Sequence, residues 1–582
     1  MKAYPDIVNP VFTEDVRDML MHIREPKIVA TALADARSAM TLLPNGELRE
    51  YGRIHSTALH GAGGQKAYLS SLDCGISWTL HYDRGDMGPC LYIPEKGLYI
   101  KAVAKEGKTY IKRSAIGPDD PSPKEHVISD KFYFCEFLPQ KCEKSNRIFF
   151  TAQRKREDGI NLPAFLYSDD FGESFTAVEL PAPPKHEPTY PHKGVRWSIS
   201  NGSEPCAVEL GNGRMMMLIR TSTDYFYQSF SEDAGETWSE MTPSPFHGTN
   251  TTPFLLRLSD GRILALWNNT QPLPEEDHEH QMPPLPENIK NGYWEDVFTN
   301  RDAAHAAISE DGGRTWIGYR EIYLNPIRNA SDFRYAGGKF DAFDKSVHQF
   351  QAIELPMGKI HVAAGQNATC RRLMIFDLDW LYESERKEDF LSGLANVTTH
   401  LYLKSIAGST MEYGNGHCSY NRITGAVMMP DPEGGYLECA YISHHKDARL
   451  LEGMQGIVWN FPASQCGRVE TELYLTGSGA RIALSDRHFN ACDRFAAELS
   501  PFGIDLSEKE IPQKRFVTLA IEYNTEKGSA TLWIGEKEIA VLPMRECIES
   551  GISYLCIQYP YEDEGGIYLK TLSKKSLRKS SF

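Results

Sequence analysis

The sequence predicts an all-β protein in two parts, a β-propeller followed by a β-sandwich. Three observations predict this fold. An eight-residue turn motif recurs four times, short apolar strands alternate with Gly-containing hairpins, and from about Gly456 the pattern changes to longer strands that alternate at period 2. The 46 Gly and 34 Pro, together with 11% aromatic residues, agree with many turns and many strands.

The turn motif reads Ser-x-Asp-x-Gly-x-x-aromatic. Its four copies are Ser71–Trp78, Ser168–Phe175, Ser231–Trp238 and Ser309–Trp316. Each copy follows a short apolar or alternating run, so we expect it where a strand ends and a hairpin turns. There the Asp carboxylate accepts backbone N–H bonds, the Gly supplies a positive φ, and the aromatic ring packs beneath the turn. These boxes are predicted to be structural and to identify the fold, not the site.

The spacing of the boxes predicts the number of blades between them. Their Asp residues stand at 73, 170, 233 and 311. A blade takes roughly 40–50 residues, so the first gap fits two blades, one without a box, and the other gaps fit single blades with long insertions. A second repeat, a hairpin with Gly before a hydrophobic strand, occurs at Gly46, Gly213, Gly261 and Gly358.

The chain is predicted to divide into four segments. They are an N-terminal extension over 1–29, a propeller over 30–450, a sandwich over 455–575 and a basic tail over 576–582, with the positive charge of the tail beginning at Lys574. Helical patterns are few. One covers Glu14 to Ile23, and another begins at Leu378 and runs to Arg386.

Charge and cysteine content limit the class of partner and the compartment. The 582 residues carry a net charge of −16, which argues against a nucleic-acid or anionic-membrane surface and against a membrane as partner. The 12 Cys are scattered without a Cys-x-x-Cys pair, as is typical of free buried thiols in a reducing compartment. No leader or membrane span is visible, so a cytoplasmic location is expected, or a secreted or periplasmic one if a leader was trimmed.

The four boxes resemble the Asp-box (BNR) repeats of the sialidase superfamily. Members have six-bladed propellers, often joined to a lectin-like or jelly-roll β-sandwich. The resemblance covers about 30–450 of this sequence. It implies six blades and an exo-acting glycoside hydrolase that releases terminal sialic acid, or a similar acidic sugar, from glycans. It implies no cofactor and no metal.

Sialidases hold the substrate carboxylate with three arginines from three blades. The positions that match here are Arg37, before the first Gly hairpin, Arg220, at the end of a Glu-to-Arg hairpin that starts at Glu204, and Arg301, eight residues before a box. A planar guanidinium fork matches a carboxylate and stays charged when buried. By the same resemblance, Glu204 would steady an arginine or contact the glycerol-like side of the sugar.

The sequence departs from the family at its catalytic residues. Ordinary sialidases use a Tyr nucleophile with a Glu, whereas the corresponding segment here carries Asp344, His348 and Gln366. This segment resembles divergent bacterial members that lack the Tyr/Glu pair. We expect Asp344 to be the general acid, His348 the general base or water positioner, and Gln366 an orienting group. Such a set favours direct attack by water, with inversion at the anomeric carbon.

Other residues are weaker candidates for contact with the sugar. They are Arg53, Arg196, Tyr335 and His417. The cluster Asp277–His280 resembles a metal site, but it lies in a Pro-rich acidic insertion and is predicted to be a loop or lid without metal.

Two alternatives to catalysis on sialic acid stay open. One is a propeller that binds acidic glycans without cleaving them, with the sandwich as a lectin or as the interface of a homo-oligomer. The other is hydrolysis of a different acidic glycan. In either case the pair Asp344 and His348 could be a structural contact.

Overall fold

The computed structural model describes residues 4–33, 40–54, 64–184, 201–248, 251–271, 300–325, 328–329, 346–365, 370–402, 422–447, 450 and 452–577. The described chain is built almost entirely from antiparallel strands, with two short α-helices and a few 3-10 turns. The all-β prediction is therefore confirmed.

Six four-stranded antiparallel sheets follow one another along the chain and form the six blades of a propeller. Blades 1 to 3 consist of β2 (Met40–Leu42), β3 (Leu48–Ile54), β4 (Gln65–Ser71), β5 (Thr79–Tyr82), β6 (Leu91–Ile93), β7 (Leu98–Lys105), β8 (Lys108–Ser114), β9 (Lys124–Ser129), β10 (Gln140–Lys141), β11 (Ile148–Lys155), β12 (Asn161–Ser168) and β13 (Thr176–Glu179). Blades 4 to 6 consist of β14 (Cys206–Gly211), β15 (Arg214–Ile219), β16 (Tyr225–Ser231), β17 (Thr242–His247), β18 (Phe254–Arg257), β19 (Ile263–Trp267), β20 (Ala303–Ser309), β21 (Ile317–Leu324), β22 (Gln351–Leu355), β23 (Lys359–Ala364), β24 (Arg372–Asp377) and the N-terminal strand β1 (Lys27–Thr31).

The N-terminal strand closes the ring of blades. β1 pairs antiparallel with β24 and supplies the outermost strand of blade 6. The predicted boundary between an extension and the propeller at residue 29 therefore falls inside a propeller strand and is wrong by a few residues. The predicted first helix is confirmed as α1 (Glu14–Met21), which Thr13 caps and which buries Val16 and Leu20.

The boxes lie between the third and fourth strands of blades 1, 3, 4 and 5, and blade 2 has none, as their spacing predicts. In the first box, Asp73 accepts hydrogen bonds from the Ser77 backbone N–H (2.9 Å) and the Ser71 hydroxyl (2.7 Å). The Gly75 N–H donates to Ser71 Oγ (2.8 Å), and Trp78 Nε1 donates to the Gly75 carbonyl (2.9 Å). The expected chemistry of the turn is therefore present.

The box glycine also allows neighbouring blades to approach closely. Gly75 has φ +84°, and a Cβ there would lie 2.4 Å from the His361 ring on β23 of blade 6. At Gly235 in blade 4, a Cβ would lie 2.2 Å from Phe165 on β12 of blade 3. Only glycine fits at these contacts, which pack each box against the preceding blade and pack blade 1 against blade 6.

The C-terminal part is a sandwich of two antiparallel sheets. Its strands are β25 (Glu385–Glu388), β28 (Val427–Pro430), β29 (Glu438–Ser443), β30 (Gln455–Ser464), β31 (Cys466–Leu475), β32 (Gly479–Ser485), β33 (Phe502–Ser507), β34 (Phe516–Asn524), β35 (Ser529–Ile534), β36 (Lys537–Pro543), β37 (Ile552–Tyr559) and β38 (Gly566–Ser576). The larger sheet has the order β28-β29-β38-β31-β34-β35-β36, and β25 also pairs with β38. The smaller sheet has the order β30-β37-β32-β33. The two-residue strands β26 (Leu401–Tyr402) and β27 (Arg422–Ile423) pair with each other, and α2 (Ala496–Leu499) precedes β33. Trp459, Phe461 and Leu473 lie in the shared apolar core.

The boundary between propeller and sandwich differs from the prediction near residue 450. Strands β25, β28 and β29 all pair within the larger sandwich sheet, so the chain leaves the propeller after β24. The second predicted helix is a 3-10 turn over Leu378–Tyr382 at this exit. The predicted basic tail also begins too early, because Lys574 is buried in β38 and donates to the Pro462 carbonyl (2.7 Å).

The sandwich docks onto blades 4 and 5. The Glu321 N–H of β21 donates to Asn460 Oδ1 (3.0 Å), and the Tyr554 hydroxyl donates to Glu321 Oε1 (2.8 Å). At blade 4, His247 is hydrogen-bonded to Asp486 (2.9 Å). Asn460, Tyr554, His247 and Asp486 are buried, so these contacts fix the sandwich against the propeller.

Two smaller expectations concern cysteines and membranes. The eleven cysteines in the described residues are free thiols, and nearly all are buried, as their scattered spacing predicts. Within the described part of the chain, no helix has the length and apolarity needed to cross a bilayer.

Candidate functional site

The antiparallel blades give the propeller two faces. The boxes and Gly hairpins occupy one face. At the opposite face, here called the site face, the first and third strands of each blade begin and the second strand ends. On the site face Glu204 precedes β14, Arg220 follows β15, Arg301 precedes β20, His348 precedes β22, and Arg53 lies near the end of β3. The strand order thus places all five of these predicted site residues on one face.

Arg220 is held by Glu204 from the same blade. The Arg220 guanidinium donates to a Glu204 carboxylate oxygen, and the Thr252 hydroxyl donates to the same oxygen. The Glu204 N–H donates to the Gln153 side-chain oxygen. Arg220 is only 4% exposed, so this pair neutralises a guanidinium that would be costly to bury alone. It is the contact expected of a residue that steadies an arginine.

Three of the twelve non-glycine residues with positive φ in the described chain lie beside these groups. Glu204 (φ +49°), Asn300 (φ +35°) and Gln349 (φ +61°) are all non-glycine residues in the left-handed region. Such conformations persist only where the surrounding contacts enforce them, and they cluster at functional sites. Glu204 is itself a predicted site residue, Asn300 immediately precedes Arg301, and Gln349 immediately follows His348.

A chain of contacts continues from Glu204 across the site face to blades 6 and 1. Gln349 Nε2 lies 3.5 Å from Thr252 Oγ1. Arg371 Nη1 donates to the carbonyls of Gln349 (3.4 Å) and Gly365 (2.8 Å), and Arg371 Nε donates to Glu50 Oε1 (3.0 Å). Burial raises the pKa of Glu50, against the lowering effect of the Arg371 charge.

Arg301 is fixed through its backbone and its neighbours. The Val347 N–H donates to the Arg301 carbonyl (3.0 Å), which joins blade 5 to the segment that carries His348. On its other side, the Asn300 carbonyl accepts from the Thr270 hydroxyl (2.7 Å). Arg301 is 4% exposed, so its position is set by the fold and not by solvent.

Asp302, the residue after Arg301, anchors the two-stranded sheet of β26 and β27 to the propeller. Arg422 and the Tyr402 hydroxyl each donate to the Asp302 carboxylate, and His400 Nε2 lies 3.1 Å from it. Burial acts to raise the pKa of Asp302, but Arg422 and His400 outweigh it and hold that pKa well below its usual range. Asp302 is therefore an ionised anchor beside Arg301.

His348 is buried and oriented by a hydroxyl. Its Nδ1 lies 2.5 Å from Ser346 Oγ, and its carbonyl accepts from the Gly365 N–H (2.6 Å). This backbone bond ties the start of blade 6 to the end of its second strand. Arg53 donates through Nη1 to the Gly64 carbonyl (2.8 Å) across the β3–β4 hairpin.

Six predicted site residues and one predicted loop lie outside the described residues. They are Arg37, Arg196, Tyr335, Asp344, Gln366 and His417, and the loop cluster Asp277–His280. Their roles stay predictions. Among the described residues, no group of three or more His, Cys, Asp or Glu side chains is arranged to hold a metal ion.

Sequence reasoning missed the residues that connect the site. Thr252, Gln349 and the pair of Glu50 and Arg371 belong to no motif, and their partners lie far away in the chain. The one local signal was the place of Thr252 and Gln349 in the chain, because each stands just before the first strand of a blade, as Glu204 does.

The fold and the site face define an Asp-box propeller joined to a β-sandwich. Residues 124–337 match the family described as BNR repeat-like domain. The matched segment contains three of the four boxes and agrees there with the resemblance to Asp-box (BNR) repeats. No curated protein matches the sequence significantly.

The solved structures that resemble this chain include the following three. Trypanosoma rangeli sialidase with difluorosialic acid has a TM-score of 0.34 at 10% identity, with 95% of this chain and 96% of that chain covered. A mutant of the NanB sialidase from Streptococcus pneumoniae has a TM-score of 0.38 at 12% identity, with 65% and 71% covered. A protein of unknown function from Dyadobacter fermentans has a TM-score of 0.39 at 16% identity, with 61% and 97% covered. At these scores the similarities support no conclusion about fold or activity.

Proposed function

We propose that the protein is an exo-acting glycoside hydrolase of the sialidase type, which releases a terminal sialic acid or a similar acidic sugar. The observation that carries the proposal is the pair Arg220 and Arg301. Two guanidinium groups from two blades are buried on one face of a chain whose net charge is −16. Guanidinium groups on one face of an acidic protein, one of them already held by Glu204, suit a small anion that is captured locally.

Arg220 is already prepared for this task. Glu204, itself held by the Thr252 hydroxyl, fixes the Arg220 side chain, so little side-chain entropy is lost when a ligand carboxylate binds. We propose that Arg37 completes the clamp with Arg220 and Arg301, and that Arg53, Arg196, Tyr335 and His417 contact the rest of the sugar. A planar fork on each arginine would bind a carboxylate through two parallel hydrogen bonds.

We propose that the reaction proceeds by direct attack of water. In this mechanism Asp344 protonates the leaving oxygen, His348 accepts the proton of the attacking water, and Gln366 orients that water. The imidazole of His348 is fixed by Ser346, which supports a role in positioning. Because no side chain in this mechanism forms a covalent bond to the sugar, the mechanism predicts inversion at the anomeric carbon.

Release of sialic acid from sialyl-lactose, followed by proton NMR, tests this function. We expect free sialic acid to appear first as the β-anomer, which reports inversion, whereas first appearance as the α-anomer would report retention. Asp344→Asn should abolish turnover, and survival of turnover would remove Asp344 as the acid. No release from any of several linkages by the unmodified protein would overturn the hydrolase proposal.

A second candidate is an acidic-glycan-binding protein without catalysis. The supporting observation is that Glu204 and Glu50, two carboxylates on or near the site face, are both engaged with arginines. Binding of sialyl-lactose without release, lost on changing Arg220, would favour this candidate. A cytoplasmic location and association of chains through the sandwich accompany either candidate as proposals.

A further inference from the structure

A loop of the sandwich reaches the site face at blade 5. The loop covers residues 486–490, directly after β32. His488 forms a parallel bridge with Thr270, in which the His488 N–H donates to the Asn269 carbonyl (2.8 Å) and the Gln271 N–H donates to the His488 carbonyl (2.7 Å). Asn269, Thr270 and Gln271 follow β19, the strand of blade 5 that ends on the site face. The sandwich therefore adds a backbone segment to the site face.

The His488 side chain extends this contact to Asn300. Asn300 Nδ2 lies 3.3 Å from His488 Nδ1 and donates to the Gln271 carbonyl (3.0 Å). Burial lowers the pKa of His488 to about 3, so the imidazole is neutral and one of its nitrogens accepts a hydrogen bond. The Asn300 amide has two hydrogens to donate, and one of them is directed at the sandwich.

Asn300 needs such support because its backbone conformation is unfavourable. Its φ of +35° is one that side chains other than glycine rarely adopt. The amide contacts and the Thr270 hydroxyl, which donates to the Asn300 carbonyl (2.7 Å), hold it in this conformation. Arg301 follows directly, so the conformation of Asn300 sets the direction in which the Arg301 side chain leaves the backbone.

Arg487 supports the same place from the sandwich. Its Nε donates to Gln271 Oε1 (2.9 Å), and its Nη1 donates to Asp486 Oδ1 (2.8 Å). The Asp486 carbonyl in turn accepts from Asn269 Nδ2 (2.8 Å). All four residues are buried. Backbone, amide and charged groups thus hold the loop to the propeller on both sides of Thr270.

We propose that the sandwich is part of the acidic-sugar site, and that His488 is a positioning residue which sets Arg301 through Asn300. The inference rests on the proposed function, in which Arg301 belongs to the carboxylate clamp. Arg220 is supported within its own blade by Glu204, whereas the support of Arg301 comes in part from the sandwich. The sandwich then contributes to sugar binding without touching the sugar.

Titration calorimetry with free sialic acid tests the role of His488. His488→Phe keeps a ring against Tyr554 (ring centroids 5.7 Å apart) but removes the acceptor, so binding should weaken by about tenfold. His488→Asn supplies an acceptor near the position of Nδ1 and should recover most of the affinity. Unchanged affinity in His488→Phe would overturn the proposal, and so would an equal loss in both variants, because the effect would then come from packing.

Asn460→Ala is the matched control for weaker docking of the sandwich. Asn460 is buried in the same interface, but it contacts β21 and β37, where its Nδ2 donates to the Tyr319 carbonyl (3.2 Å) and the Ser553 carbonyl (3.1 Å). Thermal unfolding should show a loss of stability in both Asn460→Ala and His488→Phe. Only His488→Phe should bind sialic acid more weakly, and an equal loss of affinity in Asn460→Ala would overturn a specific role for His488.

A double-variant cycle tests the path through Asn300. Asn300→Gly tolerates the positive φ and removes the amide. Because His488 is proposed to act through that amide, His488→Phe combined with Asn300→Gly should bind sialic acid no more weakly than Asn300→Gly alone. Losses that add would overturn the path.

No release from any sialoside, together with no binding of sialic acid by the unmodified protein, would instead overturn the proposed function. The positioning role is then measured by NMR of the arginine Nε groups in the isotope-labelled full-length protein. The Arg301 signal is the one that Arg301→Lys removes. It should shift in His488→Phe and not in Asn460→Ala, and an unshifted signal in His488→Phe would overturn the positioning role.

Discussion

Glu50 and Arg371 form an ion pair (Oε1 to Nε, 3.0 Å) in which neither side chain is exposed. Glu50 stands on β3 in blade 1 and Arg371 just before β24 in blade 6, so the pair joins the first and last blades of the ring. The same guanidinium holds the carbonyls of Gln349 and Gly365, which flank the site face. This buried contact therefore links the closure of the propeller to the order of the site.

Replacing Glu50 by Ala should lower the free energy of unfolding by about 3–5 kcal/mol, because Arg371 is then left buried without a counter-charge. Denaturant unfolding followed by tryptophan fluorescence measures this loss. The control is Arg24→Ala, which removes an ion pair with Glu383 in which Arg24 is 52% exposed. That change should cost less than about 1 kcal/mol. Equal losses in the two variants would contradict the central role of the Glu50 pair.

Replacing Arg220 by Met should weaken binding of free sialic acid by about 10–100-fold, the usual effect of losing hydrogen bonds to a charged group. Isothermal titration calorimetry measures the affinity. Arg214→Met is the matched control, because Arg214 begins the same strand at the opposite face and pairs with Glu232 (3.2 Å). Arg220→Lys, which keeps the charge and loses the fork, should fall between the two. Unchanged affinity in Arg220→Met would exclude it from the clamp.

Glu321 should make stability depend on pH at the interface with the sandwich. Burial raises the pKa of Glu321 to about 7, although the Tyr554 hydroxyl donates to it. The folded protein therefore holds a proton there that the unfolded chain releases at lower pH. Stability falls as pH rises from about 4.5 to 7, by up to about 3 kcal/mol.

Glu321→Gln should remove this part of the pH dependence. The measurement is the difference between thermal midpoints at pH 5 and pH 8, for the unmodified protein, for Glu321→Gln and for the exposed control Glu240→Gln. The control should behave as the unmodified protein does. An identical pH dependence in Glu321→Gln would show that this carboxyl does not titrate in the interface.

Asp170 in the second box should contribute to stability and not to binding. Its carboxylate accepts from the Ser174 N–H (2.9 Å) and the Ser168 hydroxyl (2.7 Å), on the face opposite the site. Asp170→Ala should cost about 1–2 kcal/mol through the lost hydrogen bonds. The control Asp130→Ala removes a carboxylate that is 91% exposed, and it should be neutral. Loss of sialic-acid binding in Asp170→Ala at full stability would place the box in the site.

The contribution of the Asp170 carboxylate to stability should decrease at acid pH. Burial acts to raise the pKa of Asp170, but hydrogen bonds from Ser174 and Ser168 outweigh it and lower that pKa to about 2. Its contribution to stability is thus present above its ordinary pKa and is lost as pH falls from about 4 towards 2. A comparison of acid unfolding curves for the unmodified protein and Asp170→Ala measures this contribution, and parallel curves would contradict it.

The sequence by itself determined the repeating part of the fold. Each box encodes its own turn within eight residues, and the spacing of the boxes was enough to predict a blade without one. Matching positions also put Glu204 beside Arg220, because both belong to one hairpin of blade 4. These features are local, so propensity, turn chemistry and spacing suffice to predict them.

Only the tertiary structure decided where the domains meet and what connects the site. Strands β25, β28 and β29 join the sandwich although they lie within the segment 30–450 that was predicted to be propeller, because sheet membership is set by packing against distant strands. The pairing of Glu50 with Arg371, 321 residues apart, likewise depends on closure of the ring. A short sequence motif predicts the contacts that its own residues make with one another. The contacts between distant segments form only once the six blades and the sandwich have assembled, so no short motif predicts them.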